Sequence, residues 1–131
     1  MPDVVTCVIQ RNTKILLLKR SDRVGTFKNK WACVSGYVEE GEDALNRAFQ
    51  ELEEEAQLLG EDITFKKRGE PLIFFDELEG HTWRVFPFLF YVKTQKITLD
   101  WEHTEYAWVR LKDIENYDTV PKLKEAIHSL F

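Results

Sequence analysis

The stretch from Gly36 to Leu58 constrains this chain more than any other. It opens as a glycine-bearing loop and, from about Ala44, becomes a pattern that only a helix can sort into two faces. Leu45, Ala48, Phe49, Leu52, Ala56 and Leu59 recur at spacings of three, four and seven, which predicts one apolar stripe facing a core. Asp43 stands where a helix N-cap is expected. At about 100° per residue, Glu51, Glu54 and Glu55 share an arc of about 100° elsewhere on that helix. Like charges at i,i+4 repel, and acids this far from the N-terminus gain nothing from the helix dipole. A solvated acidic face is one reading. The other is a site for a divalent cation, for which carboxylate oxygens are the hard ligands that Mg2+ or Mn2+ prefers. Glu42, just before the helix, adds a fourth acid.

The run Gly36, five residues, Glu42, seven residues, then Gln50-Glu51-Leu52-Glu53-Glu54-Glu55-Ala56-Gln57-Leu58 resembles the Nudix box. The usual form of that box is Gly-x5-Glu-x7-Arg-Glu-U-x-Glu-Glu-x-Gly-U, with U a bulky aliphatic. The glycine, the four glutamates and both aliphatics match in register, whereas Gln50 replaces arginine and Gln57 replaces glycine. Gln50 offers one uncharged amide where an arginine would supply a permanent charge and a forked donor set, which predicts a less firmly oriented neighbouring carboxylate. The box glycine suits a left-handed helix terminus, and a glutamine there is strained by roughly 1 kcal/mol. The helix is therefore expected to run on through Leu58 and Leu59 to a cap at Gly60.

The resemblance implies a fold and an activity. The fold is an α/β/α sandwich with a mixed β-sheet between helices, as one domain over residues 1–131. The activity is Mg2+-dependent hydrolysis, with Mn2+ as the alternative ion, of a nucleoside diphosphate linked to another group; a nucleoside triphosphate giving a monophosphate and pyrophosphate is the substrate expected. On the matching positions it implies Glu51 as general base, Glu54 and Glu55 as the main metal ligands, the Gly36 carbonyl as a further ligand and Glu42 in a supporting role. Glu51 is implied as a candidate ligand as well. The implied partner is a small-molecule nucleotide, and a homodimer is compatible with the family. Two rivals share the scaffold. A catalytically weak nucleotide-binding module is favoured by Gln50, and an isoprenoid-diphosphate isomerase would need a cysteine beside an acid, for which Cys33 is the candidate.

Length and composition fit that reading. With 131 residues, 44% hydrophobic and 13% aromatic, the chain suits one folded domain with a sizeable core. No apolar run is long enough to span a bilayer, and Met1-Pro2-Asp3 lacks the basic and then apolar character of a signal peptide, so a cytoplasmic protein is expected. A net charge of −5 argues against general binding to a nucleic-acid backbone, though not against a nucleotide held beside a metal ion. Cys7 and Cys33 lie in strand-like apolar surroundings and read as buried free thiols.

Around the box, β-rich runs are expected at Val4–Gln10, Lys14–Lys19, Trp31–Val34, Ile63–Lys67, Leu72–Glu77 and Thr82–Val92. Pro87, which cannot donate to a ladder, predicts a bulge or an edge. The segment Arg20 to Lys30 reads as a basic, mobile loop before the box, with Arg20 at a strand end and Arg23 as candidate substrate contacts. Aromatics between Phe74 and Tyr91 are mainly core, with one or two free to stack on a base. The loop from Asp100 to Glu105 offers Glu102 or Glu105 as an accessory acid, with Glu105 taken as the catalytic candidate, and His103 reads as a loop hydrogen-bonder. Pro121 opens a last helix whose stripe, Leu123, Ala126, Ile127 and Leu130, is expected to cover the sheet face opposite the box helix.

Overall fold

The computed structural model describes residues 1–131 and consists of one eight-stranded sheet with helices on its two faces. Strands β1 (Asp3–Arg11) and β2 (Lys14–Arg20) form a hairpin whose turn holds Asn12 at a φ of 55°, a left-handed conformation that asparagine adopts more readily than most residues. The hairpin strands pair only at Gln10↔Ile15 and Arg11↔Lys14 and then splay apart. Residues 31–38 fill the gap: β3 (Trp31–Ala32) pairs with the end of β2, and β4 (Val34–Val38) pairs with the start of β1. This wedge sets Gly36 opposite Val5 inside the sheet. Gly36 therefore belongs to a strand, and the loop expected from that residue begins only after Val38.

Strand β7 (His81–Val92) runs parallel to β1 from Asp3↔Arg84 to Gln10↔Tyr91. Along its other edge it takes β6 (Leu72–Asp76) and then β5 (Ile63–Arg68), both antiparallel, while β8 (His103–Arg110) lies antiparallel to β2. Pro87 is buried at the centre of the sheet in register with Thr6, not on an edge. Its missing donor does no harm because that side of Pro87 faces the junction between β5 and β6. There its carbonyl accepts from the Gly69 N–H at 2.9 Å, and the irregularity falls on β5, between Phe65 and Lys67.

Two cores flank the sheet. On one face, α1 (Ala44–Ala56) lays Ala48, Leu52 and Ala56 against Val5, Cys7, Val34, Phe88 and Phe90. On the other, the short α2 (Leu123–His128) packs Leu123 and Ile127, with Leu130, against Val8, Ile15, Leu17 and Leu89. The result is the expected α/β/α sandwich with a mixed sheet. Cys7 and Cys33 are free thiols in different cores. No helix is long and apolar enough to cross a membrane.

The end of α1 departs from expectation. The helix stops at Ala56, and Gln57 takes the left-handed conformation itself, at a φ of 54°, with its N–H returning to the Glu53 and Leu52 carbonyls. The Leu58 N–H also reaches the Leu52 carbonyl, at 3.1 Å. The reversal turns Leu58 into the core and leaves Leu59 half exposed, so the apolar stripe ends on Leu58. Phe49 is 38% exposed but still meets Phe90 edge-on, with ring centroids 5.3 Å apart.

Left-handed backbone at a non-glycine residue costs about 1–2 kcal/mol, and glycine adds about 0.4–1 kcal/mol of unfolded-state entropy. Gln57→Gly is therefore expected to stabilise the protein by roughly 0.5–1 kcal/mol, read as a raised urea midpoint at unchanged m-value.

Candidate active site

The site begins where α1 crosses β4. Asp43 caps α1 by accepting from the Asn46 N–H at 3.1 Å, which starts the helix with Glu51 and Glu55 on its sheet-facing side. A Cβ built on Gly36 would lie 2.2 Å from the Glu51 carboxyl carbon and 2.3 Å from one of its oxygens. Glu51 occupies the space that any side chain at position 36 would need.

Glu51 and Glu42 are both held by Arg47. Its Nε and Nη2 donate to the two oxygens of Glu42 at 2.8 and 2.6 Å, and its Nη1 donates to Glu51 Oε1 at 3.2 Å. The Arg47 hydrogen bonds keep the Glu42 carboxyl below its ordinary range. The looser carboxylate expected from Gln50 is thus not what the geometry shows, because an arginine one turn before Glu51 supplies the charge. Gln50 faces the other way and donates to Glu54 at 3.2 Å on the exposed flank of the helix.

Beyond Glu51, toward the C-terminal end of α1, lies the buried Glu55, only 2% exposed. Its Oε2 has no hydrogen-bond partner. Burial pushes its carboxyl well above the ordinary value, and the neighbouring Glu51, Glu102 and Asp100 push it further the same way. The loop before β8 brings Glu102 and His103 to it, and ligand atoms of Glu55, Glu102 and His103 all lie within 4.8 Å of one another. His103 Nδ1 meets Asp100 Oδ1 at 3.2 Å. Because that partner is an acceptor, the proton is assigned to Nδ1, and Nε2 presents a lone pair toward Glu55 Oε1 at 3.8 Å, too long for a hydrogen bond. Burial lowers the His103 pKa, opposed by Asp100, so the ring is neutral near pH 7 and does not ion-pair with Glu55. An unpartnered buried carboxylate oxygen, a second carboxylate and a free imidazole nitrogen together fit a divalent cation.

The other expected residues divide. Arg20 lines a cavity of about 320 Å3 together with Gly36, Glu51 and Glu102, and its guanidinium is tied to Thr26 at 3.0 and 3.3 Å. The loop it starts is tied at both ends: the Ser21 N–H donates to the Glu102 carbonyl at 2.7 Å, and the Arg20 N–H to the Lys30 carbonyl at 2.9 Å. Arg23 lies on the exposed outside, over the Trp101 ring, and does not line that cavity. Glu105 is also set apart: it faces Lys19 across the β2–β8 ladder at 3.5 Å with its side chain 59% exposed, and Glu102 is the loop acid that reaches the cluster. Glu54 stays exposed beside the cluster. The rest of the cavity wall includes Tyr37, Phe74 and Trp83, with Tyr37 and Trp83 ring centroids 5.7 Å apart. The i,i+4 spacing of Arg47 and Glu51 was a signal available in the sequence; the convergence of Tyr37 and Trp83 was not.

Comparison with known proteins settles the family. The family model described as the NUDIX domain matches residues 1–130. The chain belongs to the Nudix family. Among curated relatives, nucleoside triphosphatase NudI of Escherichia fergusonii is 31% identical over 128 residues, spanning 88% of this chain and 86% of that protein. Among solved structures, a MutT protein from Methanosarcina mazei Go1 superimposes with a TM-score of 0.81 at 25% identity, covering 97% of this chain and 90% of that one. A C. elegans Ap4A hydrolase in a binary complex gives 0.80 at 23% identity, covering 98% and 94%. The protein is accordingly a Nudix pyrophosphohydrolase acting on acid anhydrides of phosphorus. The isomerase alternative loses its cysteine: Cys33 lies in the α2 core, and burial pushes its thiol up to about 12.

Two outcomes follow from this geometry. Glu55 binds a proton more tightly folded than unfolded, so its contribution to stability falls as pH rises above the ordinary glutamate value of 4.5. In chelator-treated protein, Tm is expected to drop as pH rises above that value, and Glu55→Gln to flatten that drop in a thermal-melt series. Gly36→Ala must displace the Glu51 carboxyl, and because a misplacement near 1 Å in an active site can cost about a hundredfold, a loss of kcat of that order is expected in steady-state assays.

Proposed function

We propose that this Nudix hydrolase splits the phosphoanhydride of a nucleoside diphosphate linked to a further group, a (deoxy)nucleoside triphosphate in particular, to a monophosphate and pyrophosphate, with Mg2+ as its cation. One juxtaposition carries the reading: Glu51 and Glu102 open into the same cavity as Arg20 and the aromatic pair Tyr37 and Trp83. Acids there suit a metal-bound polyphosphate, the arginine suits a phosphate oxygen, and a flat aromatic wall suits a base. The name of the NudI relatives, nucleoside triphosphatase, points to the same substrate class.

Glu54, Glu55 and the Gly36 carbonyl would hold Mg2+, or Mn2+ in its place, with Glu102 and His103 completing the set on the loop side. The bound ion supplies shielding of adjacent phosphate charges and a lowered pKa for its water. Glu51 is the general base: it takes the proton of the attacking water as the new P–O bond forms and pyrophosphate leaves with the electrons of the broken bond. Arg20, tied to Thr26 and paired with His103 across the β2–β8 ladder, orients the phosphate chain from beside Glu102. The binding-module reading drew on Gln50 alone, and the Arg47 contact to Glu51 takes that support away.

Release of pyrophosphate or phosphate from a panel of ribo- and deoxynucleoside triphosphates, with and without Mg2+, tests the proposal. Turnover is expected only with the metal, and Glu51→Gln is expected to lower kcat about a hundredfold or more. Metal-dependent nucleotide binding without turnover by the wild-type protein would leave the binding module as the better account.

A further inference from the structure

The box position that departs most in chemistry is Gln50, yet Glu51 does not lack a cation. On an α-helix, position 47 lies one turn below Glu51 on the same face, whereas position 50 lies beside Glu54. The contacts follow that geometry: Arg47 reaches Glu51, and Gln50 reaches Glu54. Arg47 does more than pair with Glu51. Two of its nitrogens grip both oxygens of Glu42, whose Oε1 also accepts from the Glu39 N–H at 3.0 Å. One guanidinium therefore ties the loop that follows β4 to the carboxylate that lies against Gly36.

The side chains of Arg47, Glu42 and Glu51 are only 13%, 23% and 12% exposed, so this is not a screened surface pair. The forked pair of bonds fixes the guanidinium on Glu42, and the group so held directs its Nη1 at Glu51.

We propose that Arg47 is the positioning residue of this enzyme, holding Glu51 against Gly36 and doing from one turn earlier what the box ordinarily assigns to an arginine at position 50. The role in turnover rests on the function proposed above; the hold on Glu51 does not. Three consequences separate this from a general structural contribution. Arg47→Gln lowers kcat by about ten- to a hundredfold, the usual effect of removing a group that orients an active-site side chain, while KM for nucleotide changes little. Arg47→Lys recovers only part of the loss, because a lysine cannot fork between two carboxylates. Gln50→Arg does not restore kcat in the Arg47→Gln background, because position 50 lies beside Glu54 and faces away from Glu51.

The experiment combines steady-state kinetics and Mn2+ binding by electron paramagnetic resonance with carboxyl-carbon NMR of 13C-glutamate-labelled protein. Urea unfolding confirms that each variant is folded. The Glu51 carboxyl resonance is expected to move and broaden in Arg47→Gln and to stay in place in Gln50→Arg. Should Arg47→Gln fail to fold, Arg47→Lys and Glu42→Gln carry the same comparison. An unmoved Glu51 resonance in a folded Arg47 variant overturns the proposal, as does unchanged kcat in an Arg47→Gln protein whose wild-type parent turns over nucleotide. If the wild-type protein neither binds Mn2+ nor turns over nucleotide, the function reading fails by itself, and the resonance still decides whether Arg47 holds Glu51.

Discussion

At Gly36 a helix carboxylate sits where a side chain of the sheet would otherwise be, and the rest of the site depends on that close approach. The splayed hairpin of β1 and β2 leaves room for residues 31–38 to enter the sheet, which sets Gly36 under α1. Only a residue without a Cβ allows Glu51 to come down onto the strand there. With Glu51 in that position, the next inward turn of α1 carries Glu55 into the core, and the loop before β8 meets it with Glu102 and His103.

Placing carboxylates on the buried side of a helix works against folding. Desolvation favours the neutral form of Glu55, and the acids around it add repulsion of the same sign. Toward the N-terminal end of α1, the Arg47 guanidinium answers the charges of Glu42 and Glu51. At the Glu55 end the Arg20 charge acts on Glu102 and His103 but no cation contacts Glu55, and one of its oxygens is left without a partner. That asymmetry is what a metal-binding protein is expected to show: one end of the acidic stripe is satisfied by the chain, the other by what it binds.

The cavity adds selectivity to charge. Its acids lie on α1 and the loop before β8, Arg20 ends β2, and the aromatic wall comes from β4, β6 and β7. These pieces are far apart in the chain and meet because β7 runs parallel to β1 and supports β6 along its outer edge. The backbone bond from Ser21 to the Glu102 carbonyl links the two loops that frame the site, which makes the basic loop part of its wall.

The sequence by itself determined the family, the position of α1, the acids it carries and most strand limits, because fixed spacings, turn residues and apolar periodicity are local properties. It also placed α2 on the opposite face through the Leu123, Ala126, Ile127 and Leu130 stripe. Only the tertiary structure decided that Gln57 accepts a left-handed turn, that Pro87 sits centrally at a strand junction, and that Glu102, not Glu105, joins the cluster. Each of those depends on what a residue meets across the sheet, and a difference of two positions along a chain holds no information about such partners. Arg47 lies between the two cases: its spacing to Glu51 was legible, but its grip on Glu42 required the loop after β4 to fold back against the helix.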